Sequence, residues 1–155
     1  MVSSQKLNQL SKIIIYIDGG ARGNPGPAAF GVVISTEKGE VLKKYGQYIG
    51  EATNNQAEYQ ALIFALKKIK QLLGKQKIKH IPIEIFSDSS LLVNQMKGEY
   101  KIEDPKIQEL FLKAWNLKTD FKNLKFSLIP REENKRADRL VNEVLKEKLA
   151  KVSLF

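Results

Sequence analysis

Four acidic residues stand at positions where a solvent-exposed carboxylate is not expected. Asp18 and Asp88 each end one of the two most apolar segments of the chain. Glu58 and Asp138 each lie at the head of the apolar stripe of a predicted helix, because of their spacing from the apolar residues that follow. Taken singly, such an acid can simply cap a helix or favour its dipole. Taken together, the four suggest a shared site.

The chemistry that fits four converging carboxylates is the binding of a divalent cation. Acids at the edge of a core repel one another and raise one another's pKa unless a positive charge lies among them. The chain has no Cys, and its single His, His80, lies in a basic connector, so oxygen ligands favour Mg²⁺ or Mn²⁺ over zinc. Two such ions about 4 Å apart suit phosphodiester cleavage, because one activates water and the other stabilises the leaving 3′ oxygen.

The net charge indicates a polyanionic ligand. Among 155 residues, 26 Lys and Arg oppose 17 Asp and Glu, which gives a formal charge of +9. A strongly basic small protein attracts phosphate, although a basic surface can also serve solubility alone. Only four of the cations are Arg, namely Arg22, Arg131, Arg136 and Arg139. Most of the charge therefore suits sequence-tolerant contacts.

Length and composition exclude several classes of protein. A chain of this length predicts one domain with a single core. The lack of Cys excludes a disulfide framework, a thiolate nucleophile and an iron–sulfur cluster. No segment approaches the roughly 20 apolar residues of a membrane span, and residues 1–12 are too polar for a secretory signal. We therefore expect a soluble, cytoplasmic protein that binds no membrane.

The hydrophobic pattern predicts the elements that must position the four acids, in the order βββ-α-β-α-α-β-α. Strands are predicted over 12–18, 30–35, 41–49, 81–87 and 124–129. Helices are predicted over 53–73 after a capping box that starts at Thr53, over about 89–97, after the capping residue Asp104, and after the segment 131–134. The segment 19–27, GGARGNPGP, is predicted to be a loop because it is rich in Gly and Pro.

This order predicts an α/β fold with a five-stranded mixed sheet, in which three antiparallel strands are followed by two parallel ones, flanked by helices. Ligands gather at the carboxyl ends of parallel strands, so Asp18 and Asp88 should point to one place. We expect residues 1–11 to form a polar arm, 12–151 the domain and 152–155 a short apolar tail. The intact start and the long last helix favour a free-standing protein.

Four segments resemble, in order, the four signature blocks of the type-1 ribonucleases H. They are YIDGGARGNPGPAAFGVVI, TNNQAEYQALIFAL, IFSDSSLLVNQMKGEY and PREENKRADRLVN, and they cover nearly all of residues 12–150. The resemblance implies a ribonuclease H-like fold and an endonuclease that hydrolyses the RNA strand of RNA–DNA hybrids, leaving 5′-phosphate and 3′-hydroxyl ends. It also implies that Asp18, Glu58, Asp88 and Asp138 are catalytic and hold two Mg²⁺ ions with substrate, with Mn²⁺ as substitute.

The resemblance further implies a set of substrate-binding residues: Gly19, Gly20, Ala21, Asn24, Thr53, Asn54, Asn55, Ser90, Arg131 and Asn134. Those in 19–24 would lie near the RNA strand and its 2′-hydroxyls, which distinguish RNA from DNA. Those in 53–55 would hold a DNA-strand phosphate and reach bases in the minor groove, and Thr53 would also cap its helix. Asn134 would either cap the last helix or position Asp138 or the attacked phosphate.

The chain departs from the family pattern in three places. Many bacterial members carry a His in the loop before the last acid, whereas here Arg131 occupies that loop and would hold phosphate or offset charge. Ser90 replaces a family Gln two residues after the third acid, which would loosen a contact to the RNA strand. The segment 98–105 is short and contains acids, so the chain resembles compact members that lack a basic protrusion.

Without the protrusion, other cations must hold the substrate. Six lysines with no acid among them are candidates, although cations at a helix end also favour its dipole: Lys67, Lys68, Lys70, Lys75, Lys77 and Lys79. Trp115 lies beside the apolar face of its helix and is predicted to be in the core. We expect a monomer.

Two other functions compete with this prediction. The chain could be a module that binds hybrid or double-stranded RNA and has lost turnover, although all four acids are present. It could also be an integrase-like or resolvase-like enzyme that acts on DNA, although TNNQAE and the GNPG loop disfavour that. Double-stranded RNA is a second candidate substrate of the hydrolase.

Overall fold

A five-stranded mixed sheet forms the centre of the computed structural model, which describes residues 10–153. Its strands are β1 (Ile13–Ala21), β2 (Gly26–Thr36), β3 (Val41–Ala52), β4 (Ile83–Ser87) and β5 (Leu124–Leu128). The strand order is β3-β2-β1-β4-β5, with antiparallel pairs among the first three strands and parallel pairs at β1–β4 and β4–β5. The predicted mixed sheet is therefore confirmed.

Within residues 10–153, four α-helices flank the sheet: α1 (Asn54–Leu73), α2 (Ser90–Met96), α3 (Pro105–Lys118) and α4 (Lys135–Ser153). The predicted capping box is present, because Thr53 accepts a hydrogen bond from the N–H of Gln56 and Gln56 accepts one from the N–H of Thr53. Asp104 caps α3, as predicted, by accepting bonds from the first-turn N–H groups. Local sequence signals thus set where the helices begin.

The helices pack on opposite faces of the sheet. Alternate residues of β2 point to opposite faces of the sheet. Phe30 and Val32 belong to the core on the side of α1. Ala29 packs on the other side with Val141 and Leu145 of α4. The apolar stripe predicted for α1 is buried, and it comprises Leu62, Leu66, Ile69 and Leu73. No helix within residues 10–153 is long and apolar enough to cross a membrane.

The glycine-rich segment differs from its predicted loop. Strand β1 continues to Ala21 and β2 begins at Gly26, so only residues 22–25 leave the sheet. A Cβ atom on Gly19 would lie 2.3 Å from the backbone carbonyl carbon of Ala57 in α1. The glycine is therefore required for close approach of a helix to an extended strand, and not for a turn.

Two further expectations need correction. Trp115 is 37% exposed and does not lie in the core; its ring stacks on Phe111, and the Lys118 ammonium lies 4.0 Å from the ring centroid. The predicted tail does not begin at residue 152, because α4 continues to Ser153. The remainder of that tail, residues 154–155, and residues 1–9 of the predicted arm lie outside the described residues.

We predict that Gly19→Ala destabilises the fold and that Gly20→Ala does not. The new methyl group of Gly19→Ala would overlap the backbone of α1, and overpacking of this kind costs about 1 to 3 kcal/mol. At Gly20 the added Cβ would lie 3.5 Å from a methyl group of Val141, which is an ordinary contact. Urea unfolding in the presence of chelator measures both variants. Equal stability of the two would contradict the close-approach explanation.

Candidate active site

Two of the four acids meet at the carboxyl ends of the central parallel strands. The register of β1 and β4 pairs Tyr16 with Phe86, and Asp18 and Asp88 each lie two residues further along. Asp18 is still within β1, whereas Asp88 directly follows β4. The parallel pairing therefore brings the two carboxylates level with each other, as the sequence predicted.

Helices bring the other two acids to the same edge of the sheet. Glu58 lies near the start of α1, which the glycine at position 19 allows to approach β1 closely. Carboxylate oxygens of Asp18, Glu58 and Asp88 all lie within 4.8 Å of one another. Asp138, in the first turn of α4, lines the same cleft of about 350 Å³. The predicted convergence of the four acids is confirmed.

Burial and crowding raise the pKa values of Asp18 and Glu58. Burial, followed by the charges of Asp88 and Asp138, raises the pKa of Asp18 from 3.8 to about 8. Burial, followed by the charges of Asp18 and Asp88, raises the pKa of Glu58 well above its ordinary value. A hydrogen bond from the backbone of Gly19 opposes each shift only in part. Without a cation, the site therefore retains protons near neutral pH.

The donor set fits a hard divalent cation. Oε2 of Glu58 is buried and has no hydrogen-bond partner within residues 10–153. A buried carboxylate oxygen without a partner is costly, and a bound cation is one means of satisfying it. The ligand atoms that Asp18, Glu58 and Asp88 bring together are carboxylate oxygens, and such ligands suit Mg²⁺ or Mn²⁺. Asp18, Glu58 and Asp88 would hold the cation, with Asp138 beside them.

Asn134 holds a different acid from the one expected. Its Nδ2 group donates hydrogen bonds to the backbone oxygen of Ile17, at 2.8 Å, and to Oδ2 of Asp88, at 2.9 Å. Asn134 directly precedes α4, and its backbone oxygen accepts the hydrogen bond of the Asp138 N–H, so it stands at the start of the helix as the capping alternative expected. It is 1% exposed, so it is shielded from a phosphate in the cleft. Asn134 is therefore a positioning residue for Asp88.

Hydrogen bonds of Asn24 and Asn54 join the segment 21–24 to the start of α1 at the rim of the cleft. Oδ1 of Asn24 accepts from the backbone N–H of Asn54, at 2.9 Å, and Oδ1 of Asn54 accepts from the N–H of Ala21, at 2.8 Å. Neither Nδ2 group donates a hydrogen bond within the described part of the chain. Each side-chain amide thus uses its acceptor for the fold and keeps its donor for a ligand rich in acceptors.

The predicted substrate-binding residues divide into two groups. Five of them line the cleft together with the four acids: Gly19, Gly20, Ala21, Asn54 and Arg131. The remaining predicted residues lie outside the cleft wall: Asn24, Thr53, Asn55, Ser90 and Asn134. Among these, Thr53 caps α1, and Ser90 is exposed at the start of α2, where it accepts hydrogen bonds from Asn94.

Sequence reasoning missed a link between Arg22 and Asn142. Nδ2 of Asn142 donates to Oδ2 of Asp138, at 3.1 Å, and Oδ1 of Asn142 accepts from Nη2 of Arg22, at 2.9 Å. Both residues line the cleft. The spacing of four residues from Asp138 could have identified Asn142. Arg22 is 120 residues away in sequence from its partner, and no local pattern indicates that contact.

Comparisons with known proteins place this chain among characterised relatives. A protein family described as Reverse transcriptase-like matches residues 16–144. Ribonuclease HI of Halobacterium salinarum is 40% identical over 134 residues, which cover 86% of this chain and 64% of that protein. The bifunctional protein Rv2228c of Mycobacterium tuberculosis is 38% identical over 135 residues, covering 86% of this chain and 35% of that protein. The chain thus spans about a third of the mycobacterial relative.

Solved structures with similar folds match over nearly their whole length. LC11-RNase H1, in a crystal structure with an RNA/DNA hybrid, is 51% identical with a TM-score of 0.84, covering 89% of this chain and 99% of that one. RNase H1 from the halophilic archaeon Halobacterium salinarum is 39% identical with a TM-score of 0.80, covering 88% of this chain and 98% of that one.

We predict that the metal-free protein loses stability as the pH rises from about 4 to about 8. In this range Asp18 ionises in the unfolded chain, at a pKa of 3.8, but retains its proton in the fold, at a pKa of about 8. Each increase in pH therefore favours the unfolded state, and the free energy of unfolding falls by a total on the order of a few kcal/mol. Urea unfolding in chelator across this range measures the loss.

Asp18→Asn is the control, because it has nearly the same shape and cannot ionise. This variant should show a flatter dependence of stability on pH and, at pH 8, greater metal-free stability than the parent. Saturating Mn²⁺ should reduce the pH dependence of the parent, because the cation replaces the retained protons. Identical pH slopes for parent and variant would show that Asp18 does not hold a proton in the fold.

We predict that Asn134→Ala weakens both the fold and the binding of Mn²⁺. The substitution leaves the buried oxygen of Ile17 without its side-chain donor and frees Asp88, which together cost about 1 to 3 kcal/mol of stability. Loss of a residue that orients a metal ligand lowers metal affinity by about 10- to 100-fold. Calorimetric titration with Mn²⁺ measures that effect, with the exposed Asn116→Ala as control. Parental Mn²⁺ affinity in Asn134→Ala would be inconsistent with the positioning role.

Proposed function

The chain belongs to the type-1 ribonuclease H family, and on that premise we propose that it is an endonuclease that hydrolyses the RNA strand of RNA–DNA hybrids. Its sheet and flanking helices form the ribonuclease H-like fold of that family. One observation carries the proposal: three carboxylates converge within 4.8 Å, with an unpartnered buried oxygen among them, in a chain of net charge +9. A relative that is 51% identical was crystallised with an RNA/DNA hybrid.

Some residues of the cleft would bind the cations, and others would bind the substrate. Asp18, Glu58, Asp88 and Asp138 would hold two Mg²⁺ ions, or Mn²⁺ in their place. When bound, these cations activate the attacking water and stabilise the charge on the leaving oxygen. Asn134 holds Asp88 in place through its side-chain hydrogen bond, and Asn142 holds Asp138 in the same way.

The products follow from which bond breaks. A water oxygen adds to the phosphorus of the scissile phosphate while the bond from phosphorus to the 3′ oxygen breaks. The water oxygen stays on the 5′-phosphate, and the 3′ oxygen leaves and takes up a proton to become a hydroxyl. Arg131 lines the cleft and is exposed, so it is placed to hold a phosphate, but as an Arg it does not act as a base.

The rim of the cleft supports recognition of the RNA strand. Backbone of Gly19, Gly20 and Ala21 lines the cleft without bulky side chains, so a sugar can approach closely. The Nδ2 groups of Asn24 and Asn54 are donors without partners in the described residues, and 2′-hydroxyl and phosphate oxygens are suitable acceptors. Thr53 and Asn55, at the N-terminus of α1, are proposed to hold a DNA-strand phosphate.

Two alternatives are less well supported. A binding module without turnover has no need to keep four acids whose burial and repulsion are costly, and here they converge. An enzyme of the same fold that acts on DNA would meet no 2′-hydroxyl groups, so the Nδ2 donors of Asn24 and Asn54 favour an RNA strand. Cleavage of double-stranded RNA, a monomeric state and a cytoplasmic location remain predictions from the sequence.

We predict that the protein cleaves only the RNA strand of a labelled RNA–DNA hybrid, with Mg²⁺ or Mn²⁺ and not with chelator. Parallel reactions with RNA–RNA and DNA–DNA duplexes define the substrate class, and end analysis of the products should give 5′-phosphate and 3′-hydroxyl groups. Cleavage that persists in chelator would overturn the role of the cations. Cleavage of duplex DNA at the rate of the hybrid would favour the DNA-directed alternative.

Asp88→Asn is the matched variant for this experiment, because it keeps the shape of the side chain and removes one ligand charge. Removing an outer partner of a metal ligand costs about 10- to 100-fold, so removing the ligand itself should cost at least about 100-fold in kcat. Hybrid binding should persist. A variant that cleaves hybrid at the parental rate would show that the catalytic assignment is wrong.

A further inference from the structure

A row of basic side chains lies along α4 beside the acidic cleft. Lys135, Arg139 and Lys146 are exposed, and with the half-buried Asn142 they follow one another at intervals of three or four residues. Such spacing places all four on one face of a helix. They line a groove that shares Asp138 and Asn142 with the acidic cleft. We call Lys135, Arg139 and Lys146 the α4 basic row.

The cations of this row are not used by the fold. None of the three forms an ion pair within residues 10–153, although Glu143 lies four residues after Arg139 and lines the same groove. By contrast, Lys151 on the next turn pairs with Glu147 at 3.3 Å. Three cations without acidic partners therefore face solvent in a groove that also holds two acids, Asp138 and Glu143.

Helix stability does not explain these cations either. Lys135 is the first residue of α4, where the helix dipole disfavours positive charge. The lysines beyond the C-terminal end of α1 are at the favourable end of their helix, and that end lies about 20 Å along the axis from Glu58. Of the other candidates, Lys70 pairs with Asp120 at 2.6 Å and Lys68 lies over the rings of Tyr45 and Phe64.

The link between Arg22 and Asn142 joins the row to the site. Arg22 donates to Asn142, which donates to Asp138, so one guanidinium lies where the cleft and the groove meet. The row extends about 16 Å along α4, and one strand of a duplex carries a phosphate every 3.4 Å or so of axis. A strand that leaves the cleft over Asn142 therefore passes several phosphates along the row.

We propose that the α4 basic row, headed by Arg22, binds phosphates of the RNA strand on one side of the cleavage point. This inference rests on the proposed function, because the strand that reaches Asp138 is the one to be cut. The row would replace the lysines after α1 as the source of affinity outside the cleft. It is a binding surface for a polyanionic strand and takes no part in the chemistry.

The test compares two triple variants that remove the same charge. Lys135→Gln/Arg139→Gln/Lys146→Gln alters the row, and Lys75→Gln/Lys77→Gln/Lys79→Gln alters the far end of α1. Binding to a hybrid is measured in the Asp88→Asn background at several salt concentrations. The row variant should bind about tenfold or more weakly at 0.1 M salt, and its slope of log affinity against log salt should fall by about 2 to 3. The α1-end variant should match the parent.

A second arm identifies the strand. Hybrids carry three neutral methylphosphonate groups, either in the RNA strand beside the cleavage point, tested on each side, or in the DNA strand. Methylphosphonate groups in the RNA strand on one side of the cleavage point should weaken hybrid binding by the parent and have little effect on binding by the row variant. The proposal would be overturned if neutral groups in the DNA strand weakened binding of the parent but not of the row variant. It would also be overturned if the two triple variants lost affinity for the hybrid equally.

Binding and cleavage together separate this inference from the proposed function. If the parent binds the hybrid through the row but cleaves no substrate, the proposed activity fails and the surface stands. If the parent cleaves hybrid but binds it equally well with and without the row, the surface fails and the activity stands. In steady-state cleavage, loss of the row should raise KM about tenfold and leave kcat nearly unchanged.

Discussion

Repulsion among carboxylates that are removed from water is the constraint on which the rest of this structure depends. Asp18 and Glu58 are 7% and 8% exposed, and their oxygens lie within 4.8 Å of a third acid. Among the described residues, no charge of the fold offsets this repulsion, and the pKa of Asp18 is raised to about 8. A divalent cation among them would offset both the repulsion and the cost of burying the charges.

The surrounding structure maintains this crowding. Gly19 lets α1 come close enough to bring Glu58 over β1, and Asn134 fastens Asp88 to the backbone of the same strand. Around this acidic point the chain is strongly basic, with a net charge of +9. The two signs would act over different ranges: the basic surface would attract a polyanion from a distance, whereas the acidic cleft would bind small cations at contact.

Much of this arrangement could be predicted from the sequence because its signals are local. Apolar runs that end on Asp18 and Asp88 indicate the parallel strands, and helical spacing places Glu58 and Asp138 at the buried edge. The glycine-rich segment was mispredicted because composition does not distinguish a turn from close packing, and only the position of α1 decides between them. The partner of Asn134 was missed because Asp88 is 46 residues away in sequence.

The same helix carries an acid of the site and the proposed surface for the RNA strand. Asp138 and Asn142 face the cleft, and Arg139 and Lys146 continue the groove along α4. Because a helix is stiff, phosphates held on that surface are fixed in position relative to the carboxylates. Affinity outside the cleft then holds the strand over the carboxylates and contributes to binding, whereas the chemistry depends on the cleft itself. In a chain whose segment before α3 is short, one rigid element would then supply both an acid of the site and affinity outside the cleft.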